Sequence, residues 1–501
     1  MNKNNDFRAS TLFPVFDAIG VINQINFLSY WKFKNKLENV SMSLSLFDSD
    51  GVLLNTKEIE ILGNPRTYEI NLNSLIKTGN KDNKPGFNNY VEVEVFFEKE
   101  PFIKYPALVL SIKDESHSSV VHSCLRNFNP NENINENVVK PDQTGFDIYL
   151  REDIENYLIF IGGEIQEEYK LGIEIFNSKN SSIGYKSFEL QNNSNKKLFN
   201  INLSNIIEEL PSNNSGSYKV IIRHDIQDIF PRFYVGNYSN NSIPTLTHTF
   251  FDENNFDEEL KISNNIDINK LAASFMFPLF DTSKFITSIS SYMANKAWSG
   301  KAHLKAFDKK GVLLKEVVFD NKEFTKFQKI NKTNINSFID TNELGIDEVF
   351  CKCELYSLQF PARFKLGLNI GYLNQEANGT NICFSPPIYS KNMEDKPISS
   401  SWAPIGGLSN FEVYFHNVSM LNKNEHNDLQ VFVFSNDGKK LIIDYELKPD
   451  STIILSTFRN KSIRDFLKGS LGYVFFKSTN PFFSSWYLSV GNKGIGGDHS
   501  F

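Results

Sequence analysis

Two short segments of the chain place a histidine beside a hydroxyl residue and a phenylalanine. One is "LTHTFFD" at residues 246–252, and the other is "GGDHSF" at residues 496–501. Hydrolytic chemistry would use such a histidine as a general base, oriented by a carboxylate and bonded to an activated nucleophile. His248 and His499 are therefore the first catalytic candidates.

The local sequence does not place a complete catalytic set at either histidine. Neighbouring residues on a strand point to opposite faces, so Asp498 and Ser500 would share one face while His499 takes the other. We therefore predict that both segments are closing strands whose histidine hydrogen-bonds a loop or a neighbouring module. A catalytic or ligand-binding role is the alternative.

Two further groups carry reactive side chains. "RHD" at 223–225 offers Arg223 and Asp225 for acid–base chemistry or anion binding, although a solvated hairpin turn is the favoured interpretation. The corresponding strand end later in the chain, "FKSTN", has no match to it. Cys351 and Cys353 alternate with a lysine on a predicted strand, where thiols usually behave as small buried hydrophobic residues. No further ligands follow at zinc-like spacing, so the sequence predicts neither a metal nor a cofactor.

Large aromatic side chains are a third source of function, because they stack on sugar rings or bury in protein interfaces. Trp402, Trp486 and Tyr487 are the candidates for ligand contact, and a place in a core strand is the alternative. Trp31 and Trp298 lie at matching places in the two halves of the chain, which favours core positions for both.

The elements that must position these residues are repeated. "STLFPVFD" (10–17) matches "ASFMFPLFD" (273–281), and "SLFDSDGVLL" (45–54) matches "KAFDKKGVLL" (305–314). Equivalent phenylalanines are separated by 277 − 13 = 264 and 307 − 47 = 260 residues. Two different motifs in one order at one spacing predict an internal duplication.

Each half is itself double. "INLNSLI" and "INLSNII" are close copies, and looser copies are "TNINSFI" and "KSIRDFL". The four copies end at residues 76, 207, 339 and 467, so the steps between them are 131, 132 and 128. This regularity predicts four modules of similar size.

Each module has the pattern of an antiparallel β-sandwich. Alternating apolar residues flank a polar turn, usually closed by glycine, and predict a β-hairpin after Phe47, Phe176, Phe307 and Phe434. The "INL" segment follows, and its spacing after a Ser, Asn or Thr cap predicts one or two turns of helix. The fold class is therefore all-β: four tandem antiparallel sandwiches, Ig-like or jelly-roll-like, with about seven strands and one short helical crossover each.

The modules alternate in an A-B-A-B order. The first and third share "FP-x-FD", whereas the second and fourth share "VGN" followed by His-Ser/Thr-Phe. Polar stretches at 126–143, 253–267 and 386–400 are predicted linkers, short enough for neighbouring modules to pack together. The predicted bounds are 1–127 for module A1, 142–252 for B1, 268–388 for A2 and 399–501 for B2.

Composition excludes several classes of partner. The net charge is −7 and the sequence pI is about 5.8, without a basic block, which disfavours nucleic acid and anionic membranes. No apolar run is long enough to span a membrane, and the first residues lack the apolar stretch of a secretory signal. With only four cysteines, a cytoplasmic location is expected, and signal-independent export is the alternative.

Two main hypotheses of function follow. The first is a non-catalytic binding or structural assembly protein with a protein or carbohydrate partner, since no set of titratable residues recurs among the modules. The second is an enzyme acting on carbohydrate or a related polar substrate in a cleft between modules, using His248, His499, Arg223 and Asp225. A component of a virion or appendage is a third possibility, which rests on fold-level analogy alone.

Overall fold

The structure is a computed structural model and describes most of the chain. Trp298 and much of the first two predicted linkers (129–142, 252–259 and 262–270) lie outside the described residues. The described residues are 7–76, 85–99, 106–128, 143–150, 153–177, 181–193, 196–207, 217–230, 232–239, 243–251, 260–261, 271–293, 300–319, 331–357, 359–360, 364–373, 379–420 and 426–501.

The chain divides into two compact units, Met1–Phe251 and Asp252–Phe501. The division falls where the predicted duplication places it. Bounds of modules inside each unit stay a prediction, and the module names are used below for the strands that fall within them.

Unit 1 contains the strands of modules A1 and B1. Those of A1 are β1 (Phe7–Asp17), β2 (Ile22–Leu28), β3 (Val40–Asp48), β4 (Leu53–Glu60), β5 (Thr67–Asn71), β6 (Gly86–Phe97), β7 (Leu108–Lys113) and β8 (Ser118–His122). Those of B1 are β9 (Gln143–Tyr149), β10 (Ile154–Ile161), β11 (Glu168–Phe176), β12 (Ser182–Gln191), β13 (Leu198–Asn202), β14 (Ser217–His224), β15 (Tyr234–Ser239), β16 (Thr247–His248) and β17 (Phe250–Phe251).

Unit 2 begins with β18 (Leu260–Lys261), which pairs with β25 (Gln359–Phe360). The other strands of A2 are β19 (Leu271–Leu279), β20 (Phe285–Met293), β21 (Gly300–Phe307), β22 (Leu313–Phe319), β23 (Asn331–Asn334), β24 (Val349–Ser357), β26 (Phe364–Tyr372) and β27 (Thr380–Phe384). Those of B2 are β28 (Ser399–Gly406), β29 (Glu412–His416), β30 (Asn427–Phe434), β31 (Lys440–Leu447), β32 (Thr452–Leu455), β33 (Leu471–Ser478), β34 (Ser484–Val490) and β35 (Ile495–His499).

All four modules share one antiparallel topology. The two sheets of A1 have the strand orders β4-β3-β6-β1 and β5-β2-β7-β8. The corresponding orders are β12-β11-β14-β9-β17 and β13-β10-β15-β16 in B1, β22-β21-β24-β19 and β23-β20-β26-β27 in A2, and β31-β30-β33-β28 and β32-β29-β34-β35 in B2. The all-β prediction of tandem sandwiches is thus confirmed. The estimate of about seven strands per module was slightly low, because A1 and B2 each have two four-stranded sheets and B1 has one of five strands and one of four.

The predicted hairpins form between the third and fourth strands of each module. In A1 the carboxylate of Asp48 accepts hydrogen bonds from the amides of Asp50 and Val52, at 3.0 and 2.9 Å. Gly51 then closes the turn with a φ of 84°, and Gly311 does so in A2 with a φ of 81°. Glycine adopts this left-handed conformation without steric cost, which explains the recurring Asp-x-x-Gly.

The helical crossover is a single turn in three modules, within the predicted one or two turns. In each of them the asparagine of the repeated segment ends a strand and caps a single 3-10 turn through its side chain. B2 instead has an α-helix here, whose N-cap residue Asn460 makes no side-chain cap hydrogen bond. The 3-10 helices are Leu72–Ser74, Leu203–Ile206 and Ile335–Ser337, and the α-helices are α1 (Thr341–Leu344), α2 (Lys391–Glu394) and α3 (Lys461–Leu467).

Two predicted linkers contain regular structure in the described residues. Strand β18 lies within 253–267, and helix α2 with the start of β28 lies within 386–400. No helix of the described residues has the length and apolar character that crossing a membrane requires.

Within each unit the hairpin turn of module A contacts module B. The amide of Leu198 donates to the carbonyl of Ser49 at 2.9 Å in unit 1, and the amide of Thr452 donates to the carbonyl of Lys309 at 3.0 Å in unit 2. Ser49 and Lys309 follow the equivalent turn aspartates. The same backbone contact therefore recurs in both units, as expected if a two-sandwich unit was duplicated.

We predict that Gly311→Ala destabilises unit 2 more than a substitution that affects φ alone. A methyl group at Gly311 would collide with the carbonyl oxygen of Pro449 in module B2, whereas one at Gly345, also left-handed, meets no atom within 4 Å. Gly345→Ala should lower the unfolding free energy by about 1–2 kcal/mol. Gly311→Ala should cost about 1–3 kcal/mol more. Denaturant unfolding measures both, and equal losses would contradict the proposed contact.

Candidate functional site

The histidine segment of B1 is a corner at which the chain moves from one sheet to the other. His248 lies in β16 opposite Tyr234 of β15. The next amide, that of Thr249, donates to Phe233 at 2.8 Å, and Phe250 then pairs with Gly145 in the facing sheet. The corner ties the two sheets of the sandwich together.

Module B2 closes in the same way. His499 lies in β35 opposite Trp486 of β34. The amide of Ser500 donates to Ser485 at 3.0 Å, and Phe501 exchanges two backbone hydrogen bonds with Trp402 of β28. The predicted closing strands are therefore confirmed, and the recurrence of His-Ser/Thr-Phe follows from the recurrence of this corner.

Both imidazoles bond the backbone of the corner itself. Nδ1 of His248 lies 2.9 Å from the carbonyl of Thr249, and Nδ1 of His499 lies 2.7 Å from the carbonyl of Ser500. A carbonyl only accepts, so Nδ1 carries the proton and Nε2 holds the lone pair in the neutral ring. A backbone carbonyl thus helps to orient each ring. His248 also packs edge to face on His122, with 4.7 Å between ring centroids.

The residues opposite the two histidines join module B to module A. Tyr234 donates its hydroxyl to the carbonyl of Leu12, and Trp486 donates its indole N–H to the carbonyl of Met276, both at 2.6 Å. Leu12 and Met276 each precede the Phe-Pro pair of the "FP-x-FD" motif. Aligning the two B modules on their shared "VGN" segments would not place Tyr234 opposite Trp486. That alignment is wrong at this strand, because Tyr234 and Trp486 both pair with the corner histidine and are therefore equivalent.

The three aromatic residues proposed for ligand contact are all buried. Trp486 serves in the contact just described, and Trp402 stacks between Phe475 and Phe501. Tyr487 packs against Phe411, and burial raises the pKa of its hydroxyl well above the ordinary value. Stacking on a sugar needs a ring face open to solvent, so these positions fit the core alternative.

Arg223 and Asp225 lie on the exposed face of the other B1 sheet from His248. Arg223 pairs with Glu174 at 3.1 Å, and Asp225 accepts from the amide of Lys170 in the neighbouring strand β11 at 2.8 Å. The favoured hairpin turn is not formed here, because the next strand, β15, belongs to the other sheet of B1. Strand register corrects one inference about them. Arg223 pairs with Gly172 in B1, and Lys477 pairs with Gln430, the equivalent of Gly172, in B2. Lys477 of the "FKSTN" segment is therefore the counterpart of Arg223, and a basic side chain recurs at this place.

The cysteines match the prediction of buried hydrophobic residues. Cys351 and Cys353 are buried side by side in β24, and Cys124 and Cys383 are buried as well. Burial raises the pKa of Cys353 to about 12 and also raises that of Cys351, so both thiols stay protonated near neutral pH.

Comparisons with known proteins name no family. No family model and no curated protein matches the chain. Among solved structures, the chain is similar to Escherichia coli alpha-2-macroglobulin in its native conformation (8% identity, TM-score 0.12) and after activation by trypsin (8%, 0.11). It is covered to 96% in both matches but spans only 28% and 30% of those chains. Function is therefore argued from this chain's own residues.

An open groove on the outer face of B2 was missed by sequence reasoning. It has a volume of about 500 Å³ and crosses the strands β30, β31 and β33. The amide of Gln430 donates to Asp444 at 2.9 Å, and the ring of Phe432 beside the groove holds the ammonium of Lys477 at 5.2 Å. The lining residues are Ile398, Asp428, Leu429, Gln430, Asp444, Tyr445, Glu446, Lys477, Ser478 and Thr479.

Module B1 lacks the central pair of this groove. Gln430 pairs with Asp444 in B2, and the equivalent pair in B1 is Gly172 with Ser187. The alternation in "DLQVFVF" and "IIDYEL" was the available signal, since polar residues at every second position mark a solvent face. That signal does not distinguish a binding face from an ordinary exposed one.

We predict that Tyr234→Phe weakens the junction between A1 and B1. The substitution removes one hydroxyl and leaves the buried carbonyl of Leu12 without that donor, which costs about 1–3 kcal/mol. Hydrogen exchange of amides in β1 and β15 should accelerate accordingly. Tyr185→Phe, on an exposed side chain of the same module, is the control and should leave exchange unchanged. Unchanged protection in Tyr234→Phe would show that the hydrogen bond does not hold the modules together.

Acid should destabilise unit 2 through His416. Burial lowers the pKa of this imidazole to about 3, whereas the unfolded chain has the ordinary value of about 6.5. Between these values the unfolded state binds the extra proton, so stability falls as the pH drops from about 6.5 towards 3. From pH 7 to pH 5 the loss attributable to this group should be about 2 kcal/mol. Denaturant unfolding of His416→Asn should show a smaller difference between the two pH values, and the same difference would exclude this cause.

Proposed function

We propose that the chain is a non-catalytic binding protein in which the groove on B2 holds a polyhydroxylated ligand of the carbohydrate class. The observation that supports this function is the groove itself, an open concave face lined by carboxylate, amide, hydroxyl and ammonium groups. Its volume lies in the range of small-molecule and oligosaccharide sites.

The groups of the groove suit sugar hydroxyls. The carboxylate of Asp444 accepts hydrogen bonds, the amide of Gln430 both donates and accepts, and the ammonium of Lys477 donates. Hydrogen bonds to charged groups contribute more than neutral ones, which favours a ligand with several hydroxyl groups. Asp428, Asp444 and Glu446 outnumber the single lysine, so neutral or amino sugars fit better than phosphorylated or sulfated ones.

Structural roles of the catalytic candidates also favour binding. His248 and His499 close their sandwiches, with Nδ1 of each bonded to a backbone carbonyl. Asp225 bonds the backbone of strand β11, and Arg223 pairs with Glu174 on a different sheet from His248. Each of these side chains thus has a contact that the fold itself uses.

Affinity electrophoresis in gels that contain soluble xylan, mannan, mixed-linkage β-glucan or glycol chitosan tests the proposal. At least one polysaccharide should retard the full chain. Asp444→Ala removes the central carboxylate and should weaken that retardation about tenfold, as expected for a hydrogen bond to a charged group. Ser187→Ala, at the equivalent exposed place in B1, is the matched control and should migrate like the wild type.

Two outcomes would contradict this function. Retardation that Asp444→Ala and Gln430→Ala leave unchanged would place binding away from the groove. Release of reducing ends from the same polysaccharides, lost in His248→Ala while that variant stays folded, would show that the chain is an enzyme.

A further inference from the structure

Modules A1 and A2 carry opposite charges at one buried position. Glu92 pairs across the sheet with Leu12, and Lys352 pairs with Met276. Leu12 and Met276 are the equivalent residues that bond module B, so Glu92 and Lys352 occupy the same place beside the A–B junction. Both are almost fully buried, with 3% and 2% of their surface exposed.

In unit 1 module A supplies the negative member of the ion pair across the junction, and module B supplies the positive one. The carboxylate of Glu92 lies 2.9 Å from the ammonium of Lys196, in the B1 loop between β12 and β13. Its other oxygen lies 2.9 Å from the guanidinium of Arg8.

In unit 2 the polarity is reversed. The ammonium of Lys352 lies 2.9 Å from the carboxylate of Asp450, in the B2 loop between β31 and β32, which is the equivalent loop. It also contacts Glu354 at 2.9 Å and donates to the hydroxyl of Ser419 at 2.8 Å.

Two hydrogen bonds of the junction recur in both units, whereas other contacts differ, such as the ion pairs Lys197–Asp50 in unit 1 and Arg459–Glu348 in unit 2. An aromatic donor meets the carbonyl of Leu12 or Met276, and a strand amide meets the carbonyl of Ser49 or Lys309. Backbone carbonyls are alike in both A modules, so these two hydrogen bonds would accept either B module.

We propose that the reversed ion pair selects the partner, so that A1 packs with B1 and A2 packs with B2 during folding. An A1–B2 junction would place Glu92 beside Asp450, and an A2–B1 junction would place Lys352 beside Lys196. Glu92 would keep Arg8 and Lys352 would keep Glu354, but each mismatched junction would lose one ion pair and bury two like charges side by side, which disfavours it. Tandem modules of similar sequence are prone to such misassembly, and repulsion against wrong partners is a general solution to it.

The test uses the full chain and a reporter of the correct A1–B1 junction. Asp50→Cys and Lys197→Cys replace an exposed and a partly exposed residue whose charged groups lie 3.6 Å apart, and a short bismaleimide joins them only when the junction has formed. The native cysteines are buried and should not react. After refolding from denaturant, the wild-type background should be cross-linked almost completely.

The deciding variant is Glu92→Lys with Lys196→Glu. It keeps an ion pair in unit 1 but gives both units the same polarity. Because Arg8 and Glu164 then face like charges, its unfolding midpoint should lie above that of Glu92→Lys alone but below that of the wild type, while its cross-linked fraction after refolding falls. Adding Lys352→Glu and Asp450→Lys makes the units different again and should restore the cross-linked fraction.

Two results would overturn the proposal. Refolding of the double variant with the wild-type cross-linked fraction would show that the ion pair stabilises the junction without selecting the partner. A quadruple variant that still folds but does not regain the wild-type cross-linked fraction would show that selection depends on other residues. Glu92→Lys alone should lower both the midpoint and the cross-linked fraction, and no change in either would also contradict it.

Discussion

The hydrogen bond between an aromatic donor of module B and an edge strand of module A is the constraint on which each unit depends. The first strand of each A module lies at the edge of its sheet and contains proline. Proline has no backbone N–H to donate and is tolerated in sheets mainly at edges. The strand's buried carbonyl at Leu12 or Met276 needs a donor, and Tyr234 or Trp486 supplies it. The donor lies directly opposite the corner histidine. The repeated "FP-x-FD" and His-Ser/Thr-Phe motifs thus lie on the two sides of one junction.

Recurrence and divergence carry different information in a duplicated chain. Features that recur at equivalent places, such as the Asp-x-x-Gly turns and the closing corners, maintain the sandwich and its junction. Equivalent surfaces whose residues differ between modules are not needed to maintain the sandwich or its junction. Gln430 and Asp444 in B2 face solvent where B1 has Gly172 and Ser187, although the underlying strands pair identically. A function specific to one module is therefore expected at such a place.

Local chemistry could be predicted from the sequence, whereas relations between distant strands could not. The turns at Gly51 and Gly311 follow from the local Asp-x-x-Gly sequence. The sandwich class follows from the alternation of apolar residues and the spacing of the repeats. The groove could not be found because Gln430, Asp444 and Lys477 come together only through strand register. The alignment on "VGN" was wrong for the same reason, since sequence identity over three residues does not show which residue pairs with the corner histidine. The short crossovers were also predictable, because the side chain of Asn71 accepts from an amide of the first turn, as a helix cap does.

The buried charges show that the two junctions differ by more than one exchange of signs. Glu94 and Glu354 are equivalent and keep the same charge, yet their cations come from different strands: Arg8 of β1 at 2.6 Å and Lys305 of β21 at 2.7 Å. Each network thus balances its charges with local residues, as a buried network must. Every buried charge of each network has an oppositely charged partner within its own unit. The opposite polarity of the two ion pairs therefore leaves no charge unpaired in either native junction. The penalty falls on the mismatched junctions, and the reversed ion pair can therefore act against wrong pairing without weakening either native junction.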